Sequence, residues 1–255
     1  MGRKGGSTGL KRKPAPRFWP IHRKEFTWVV RPSAGPHSLE HCMPLAVILR
    51  DVLGFAQTRR EARMIVSQGM IQVDDKVRRK DDFPVGMMDV VSMPEMDIHF
   101  RVLPFSKGLM LHRITKEESA MKLCRIEKNR TVREGHASIQ LHDGSNLLVE
   151  ASDTDSSIED TYKTLDTVKI ALPEKQILEK VEMKTKVRAL ITGGKNIGKQ
   201  GTIAEIEEAK GKKRRNTLAT IEDDDGNTYQ TVLDFVFAVG KTRPLISIPE
   251  VIRSV

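Results

Sequence analysis

At 255 residues the chain has room for two or three small domains. With 38% hydrophobic, 30% charged and only 5% aromatic residues, their cores must be thin and aliphatic. A formal net charge of +9 points to a polyanionic partner, and no apolar run approaches the roughly 18 residues that a membrane span needs. Cys42 and Cys124 are too few for a disulfide framework, so a reducing intracellular setting is expected.

The positive charge is concentrated at the start. Residues 1–32 hold nine Lys/Arg (Arg3, Lys4, Lys11, Arg12, Lys13, Arg17, Arg23, Lys24 and Arg31) against one acid, Glu25, and the remainder is nearly balanced. Pro14, Pro16 and Pro20 stand where a secretory leader would need an apolar segment. With no helical or strand period, this arm is expected to be disordered alone and to add little to the stability of the body. Its aromatics Phe18, Trp19, Phe26 and Trp28 imply that it beds against something. Trp28 is expected to pack on the protein, whereas Trp19 fits either the protein or splayed nucleotide bases. His37, His41 and Cys42 lie close together, but no second ligand pair follows at metal-like spacing, so no metal is expected.

From Met43 the pattern is helical. Leu45, Ile48, Leu49, Val52 and Leu53 form one apolar face, which Gly54 ends. Thr58 and Glu61 then make a capping box for a second helix with Ala62, Ile65 and Val66 on its buried side and Gly69 at its end. Ile71 and Val73 alternate into an Asp74-Asp75 turn, and "FPVGMMDVVSM" reads as a further strand. Together these form a helix–helix–strand–strand unit over roughly 43–105.

Beyond Gly108 the chain reads as strands: "ASIQLHDGSNLLVE" with an Asp143-Gly144 hairpin turn, "DTVKIALP", "KVRALIT", "GTIAEIE", "NTLATIEDDDGNTYQTV" and "DFVFAV". Residues 143–182 carry ten acids against four lysines, and residues 183–215 ten Lys/Arg against three acids. That reversal implies one face toward a polyanion and one away. No internal repeat has a fixed period.

The stretch "GGKNIGKQG" at 193–201 has the outline of a phosphate-binding loop. A phosphate loop needs Ser or Thr after its final Lys to hold magnesium, but Gln200 is there. It must also open a helix, yet Gly201 and a β-branched run follow. A glycine-rich turn between strands that exposes Lys195 and Lys199 fits better and resembles the KOW motif, a β-barrel element that docks on RNA.

Arg59, Arg60 and Arg63 decorate the opening turns of the capped helix, where the helix dipole favours acids. Lys76, Arg78, Arg79 and Lys80 follow nearby, making a concave positive surface whose arginine forks suit phosphates. "TRREARMIVSQGMIQVDDKVRRKDDFPVG" resembles the S-four-type RNA-binding domain. Taken in order with "WVVRPSAGPHSLEHCMPLAVILRDVLGFA", "LHDGSN", "DTVKIALP" and "GGKNIGKQGTI", the chain resembles the e-type S-four family of archaeal and eukaryotic small-subunit ribosomal proteins nearly end to end.

The resemblance implies an α+β multidomain protein. It has a basic extended arm (1–42), an S-four-type RNA-binding domain (43–105), a central β-rich domain (106–176), an SH3-like KOW β-barrel (177–240) and a tail (241–255). It implies a structural component of the ribosome in the cytoplasm. Small-subunit ribosomal RNA and neighbouring ribosomal proteins would be its partners, with no catalysis, cofactor, small-molecule substrate or membrane. The expected RNA contacts are Arg3, Lys4, Lys11, Arg12, Lys13, Arg17, Arg23, Lys24, Arg59, Arg60, Arg63, Lys76, Arg78, Arg79, Lys195 and Lys199, and the role of Lys80 is open. Two rivals use the same modules. An RNA-modifying enzyme needs a catalytic domain with a placed Asp, Cys or base, and "SDTDSSIEDTYKTLD" holds no glycine-framed catalytic Asp; a transcription-linked KOW factor needs no long basic arm.

Overall fold

The computed structural model describes residues 9–132, 136–149, 161–207 and 217–249. Arg3 and Lys4, much of the acidic stretch and the basic run of 208–216 lie outside them.

The arm is folded. Strands β1 (Leu10–Lys11) and β2 (Trp28–Val29) pair antiparallel, with Lys11 opposite Trp28. Ala15, Trp19, Ile21 and Val30 are buried in one core with Leu45–Leu49, Ala62, Val66, Ile71 and Val102. The expectation of a loosely attached arm is therefore corrected: these side chains have no local partner but complete the core of the next unit. Trp19 is only 3% exposed and its Nε1–H donates to the Cys42 carbonyl at 2.8 Å, whereas Trp28 is 58% exposed. That reverses the expectation for Trp28.

Strand β3 (Cys42–Pro44) leads into helix α1 (Leu45–Val47), which continues as a π-helical turn (Ile48–Val52) closed by Leu53 N–H to Ile48 C=O at 2.9 Å. Leu45, Ile48 and Leu49 are fully buried, but the wider turn carries Val52 off the apolar face to 39% exposure. Helix α2 (Arg59–Ser67) follows, then β4 (Gln72–Val73) and β5 (Lys76–Val77) around Asp74 and Asp75, both at positive φ. The single strand expected from "FPVGMMDVVSM" is two, β6 (Pro84–Gly86) and β7 (Val90–Met93), broken at Met88 with φ 67°. β6 pairs with β3, and β7 with β4.

Strands β8 (Ile98–Phe105) and β9 (Gly108–Ile114) form a hairpin completing the antiparallel sheet β5-β4-β7-β8-β9. A single turn, α3 (Lys116–Ser119), precedes β10 (Met121–Thr131). A second antiparallel sheet, β12-β11-β10-β13-β14, adds β11 (Ala137–Leu141), β12 (Asn146–Val149), β13 (Thr167–Ala171) and β14 (Ile177–Val181). The third, β18-β17-β16-β15-β19, holds β15 (Arg188–Ile191), β16 (Gln200–Glu207), β17 (Leu218–Glu222), β18 (Thr228–Val232) and β19 (Val236–Gly240). Residues 105/106 lie at the β8–β9 turn, and 176/177 inside the β13–β14 hairpin.

The three sheets share cores. Met88 from the break before β7, Leu103 of the first sheet, Leu123 of the second, and Leu190, Phe237 and Val239 of the third pack in one buried cluster with Ile246. Ser247 is tied back as well: its N–H and Oγ–H donate to the two Glu118 carboxylate oxygens at 3.0 and 2.7 Å.

Candidate nucleic-acid interface

The N-terminus of α2 is built by its cap. Thr58 Oγ1 accepts from Glu61 N–H at 3.3 Å, and Glu61 reaches back to accept from Gln57 N–H at 2.8 Å and Thr58 Oγ1–H at 2.9 Å. These bonds, Gln57's first, hold the Glu61 carboxyl below its ordinary value. Ala62 and Val66 face the core, which turns Arg59, Arg60 and Arg63 outward, all exposed. Arg59 Nε–H donates to Asp81 at 2.8 Å, which orients that side chain, whereas among the described residues no acid pairs with Arg60 or Arg63.

Lys76, Arg79 and Lys80 are exposed beside the same helix. The Arg79 guanidinium lies near Gly69, 3.8 Å from where a Cβ would stand, close to the C-terminal end of α2. Arg78 is half-buried, its guanidinium carbon 4.2 Å from the Phe83 ring centroid.

In the arm, Lys11, Lys13, Arg17 and Lys24 are exposed. Arg12 and Arg23 behave differently. Arg12 is 5% exposed and donates to the carbonyls of Trp28 (3.2 Å) and His22 (2.6 Å), with Glu25 at 3.5 Å. Arg23 donates to the carbonyls of Arg12, Lys13, Ala15 and Pro16 at 2.7–3.2 Å. Both guanidiniums serve as internal hubs for a segment with few ladder hydrogen bonds, and Arg12 is a structural residue rather than the surface contact expected.

The 192–199 loop joins the antiparallel pair β15–β16, and no helix follows it. Gly198 N–H donates to Ile191 C=O at 2.8 Å, with φ 84°, and a Cβ there would come within 2.9 Å of Phe105 Cα. The glycine allows the loop to close against the β8–β9 turn. Lys195 is exposed, but Lys199 Nζ sits 3.8 Å from the Tyr229 ring centroid, a cation–π contact that folds it back.

The sequence reading missed a buried ionic clasp. Lys122 on β10 is fully buried; its Nζ donates to Asp74 and Asp89, each at 2.6 Å, and to Asp143 at 3.4 Å. Asp89 also accepts from His37 Nε2–H and Gly86 N–H, both at 2.9 Å, and Asp143 from Lys175 at 3.4 Å. Lys122 and His37 hold Asp89 below its ordinary value against burial, and Lys122 does the same for Asp143. Asp74 is raised, by burial first and then by repulsion from Asp89. Coulombic attraction from Asp89 and Asp74 outweighs the burial of Lys122 and keeps it protonated. His37 is thus engaged by a carboxylate, while burial pushes the Cys42 thiol up to about 12.

Residues 4–40 match the RS4NT domain, 43–91 the S4 domain and 96–177 Ribosomal family S4e. The chain is 47% identical to the small ribosomal subunit protein eS4 of Staphylothermus marinus, over 98% of this chain and 99% of that one. It is 46% identical to eS4 of Aeropyrum pernix (98% of each) and 39% to that of Methanocaldococcus jannaschii (97% and 100%). The crystal structure of the 30S ribosomal protein S4e from Thermoplasma acidophilum superimposes with a TM-score of 0.64 at 27% identity, covering 79% of this chain and 96% of that one.

Proposed function

The chain belongs to ribosomal family S4e, and from that premise we propose that it is a structural component of the small ribosomal subunit in the cytoplasm, binding ribosomal RNA and catalysing no reaction. Its S4 domain is the RNA-binding module. Within this reading three basic surfaces hold small-subunit rRNA beside neighbouring subunit proteins. They are the arm through Lys11, Lys13, Arg17 and Lys24, with Arg3 and Lys4 preceding them, the α2 face through Arg59, Arg60, Arg63, Lys76, Arg79 and Lys80, and the third sheet through Lys195. The residue limits 1–42, 43–105, 106–176, 177–240 and 241–255 stand for arm, S4 domain, central domain, KOW barrel and tail. The five antiparallel strands and the glycine loop of the third sheet support the KOW reading.

The observation that carries this proposal is the outward set Arg60, Arg63, Lys76, Arg79 and Lys80, which no acid neutralises among the described residues. Phosphate contacts of this kind fix position, and selectivity comes from RNA shape and unpaired bases. Each phosphate contact contributes ~0.7–0.9 to the slope of log K against log salt, so changing Arg60 and Arg63 to Ala should flatten it by roughly 1.5. Filter binding to small-subunit rRNA over a salt series measures this. An unchanged slope removes α2 from the interface.

A further inference from the structure

We propose that Trp28 is a stacking ledge for an unpaired base of the bound RNA; this rests on the RNA-binding reading above and gives that reading its base contact. The two tryptophans have opposite surroundings. Trp19 is 3% exposed and hydrogen-bonded into the core, while Trp28 is 58% exposed and Phe26, two residues before it, 62%. An exposed indole on a hairpin this short gains little from the fold, since β1 and β2 pair only Leu10 with Val29 and Lys11 with Trp28.

The ring is nonetheless held in place. A Cβ at Gly9 would stand 2.9 Å from Trp28 Cζ3 and 3.3 Å from Cε3, so the bare backbone of Gly9 supports the benzo edge where a side chain would displace it. Beneath the strand, Arg12 fixes the Trp28 carbonyl at 3.2 Å. Lys11, the cross-strand partner, brings Nζ to 5.9 Å from the Trp28 centroid, and the Arg12 guanidinium carbon lies 4.9 Å from the Phe26 centroid. Lys13, Arg17 and Lys24 are exposed on the same arm.

An exposed, positioned indole with an ammonium over its ring at 5.9 Å matches a nucleotide: the base on the indole surface left to solvent and its phosphate on the ammonium. A protein partner would instead favour surroundings with few lysines, because interface cores are depleted in charge, whereas Lys11, Lys13 and Lys24 are all exposed on this arm. The cationic surroundings therefore select RNA.

The full chain has two tryptophans, so the wild-type emission minus that of Trp28→Phe isolates the ledge. With deproteinised small-subunit rRNA of Staphylothermus marinus as probe, this difference emission should fall by more than half at saturation. Trp28→Ala should weaken binding roughly 5- to 50-fold, as expected for one lost base–aromatic stack, with the melting temperature unchanged. Gly9→Val should give a smaller loss of the same kind. If the rRNA binds with wild-type affinity to Trp28→Ala and the difference emission is unmoved, the ledge is overturned while the RNA-binding reading stands. A change in emission that comes only when other small-subunit proteins are added makes Trp28 a protein contact and also overturns it. No rRNA binding by the wild type sinks both readings together.

Discussion

Lys122 Nζ and Asp89 Oδ1 lie 2.6 Å apart with both side chains buried, and they join the second sheet to the loop before β7 of the first. Asp74 and Asp143 complete the clasp from two further turns. Its charges have left water, so its cohesion depends on every member being present. Lys122→Met is expected to strand three buried carboxylates and destabilise the fold by about 3–5 kcal/mol. At ~2–4 °C per kcal/mol for a chain of this size, the melting temperature should fall by roughly 10 °C. A calorimetric scan of the variant checks this, and a wild-type melting temperature would mean that the clasp does not hold the sheets together.

Stability should decline on the acid side in two stages. His142 is pulled down to about 4, by burial first and then by Lys122. Its geometry requires the neutral ring: Nε2–H donates to Met87 C=O at 3.2 Å, while Nδ1 accepts from Arg125 N–H at 3.3 Å. Between about 4 and the ordinary value of 6.5 the unfolded chain takes up a proton that the folded chain refuses, so stability falls as pH falls through that window, by up to ~3 kcal/mol. Below it, protonation of Asp89 and Asp143, both held under their ordinary values, removes the stability they contribute. Urea unfolding at pH 7 and pH 4.5 measures the first stage. His142→Gln should flatten the dependence between those two pH values, and a slope as steep as wild type would assign the loss to another group.

The arm carries part of the core. Trp19→Ala empties a fully packed site and removes the bond to Cys42 C=O, at an expected ~3–5 kcal/mol, and removing residues 1–32 should be at least as damaging. Trp28→Ala is the control, with a melting temperature within about a degree of wild type because most of its ring lies in solvent. Equal melting temperatures for the Trp19→Ala and wild-type chains would return the arm to the status of a loose appendage.

Local chemistry was legible in the sequence, and long-range chemistry was not. The Thr58–Glu61 box, the Asp74-Asp75 turn and the Asp143-Gly144 hairpin are fixed by neighbours within four residues, and each stands where expected. Lys122 gave no signal because its partners are 48, 33 and 21 residues away, and on β10 it reads as one more exposed charge. Trp28 was misjudged and Trp19 left undecided for the same reason: their burial depends on where the arm docks. Arg12 and Arg23 read as surface cations in a basic run, yet an extended segment with so short a ladder needs internal donors, and they supply them. "FPVGMM" hides its break because Met88 adopts positive φ, which glycine signals and methionine does not.

Sedimentation tests most directly whether this chain is a fixed part of a ribonucleoprotein. Labelled chain is mixed with small-subunit rRNA and the remaining small-subunit proteins, and run on a sucrose gradient at moderate salt. It should travel with the small-subunit peak in equimolar amount and crosslink to rRNA through peptides of the arm and α2. A chain that stays at the top of the gradient, while the other proteins assemble without it, would leave the ribosomal role without support.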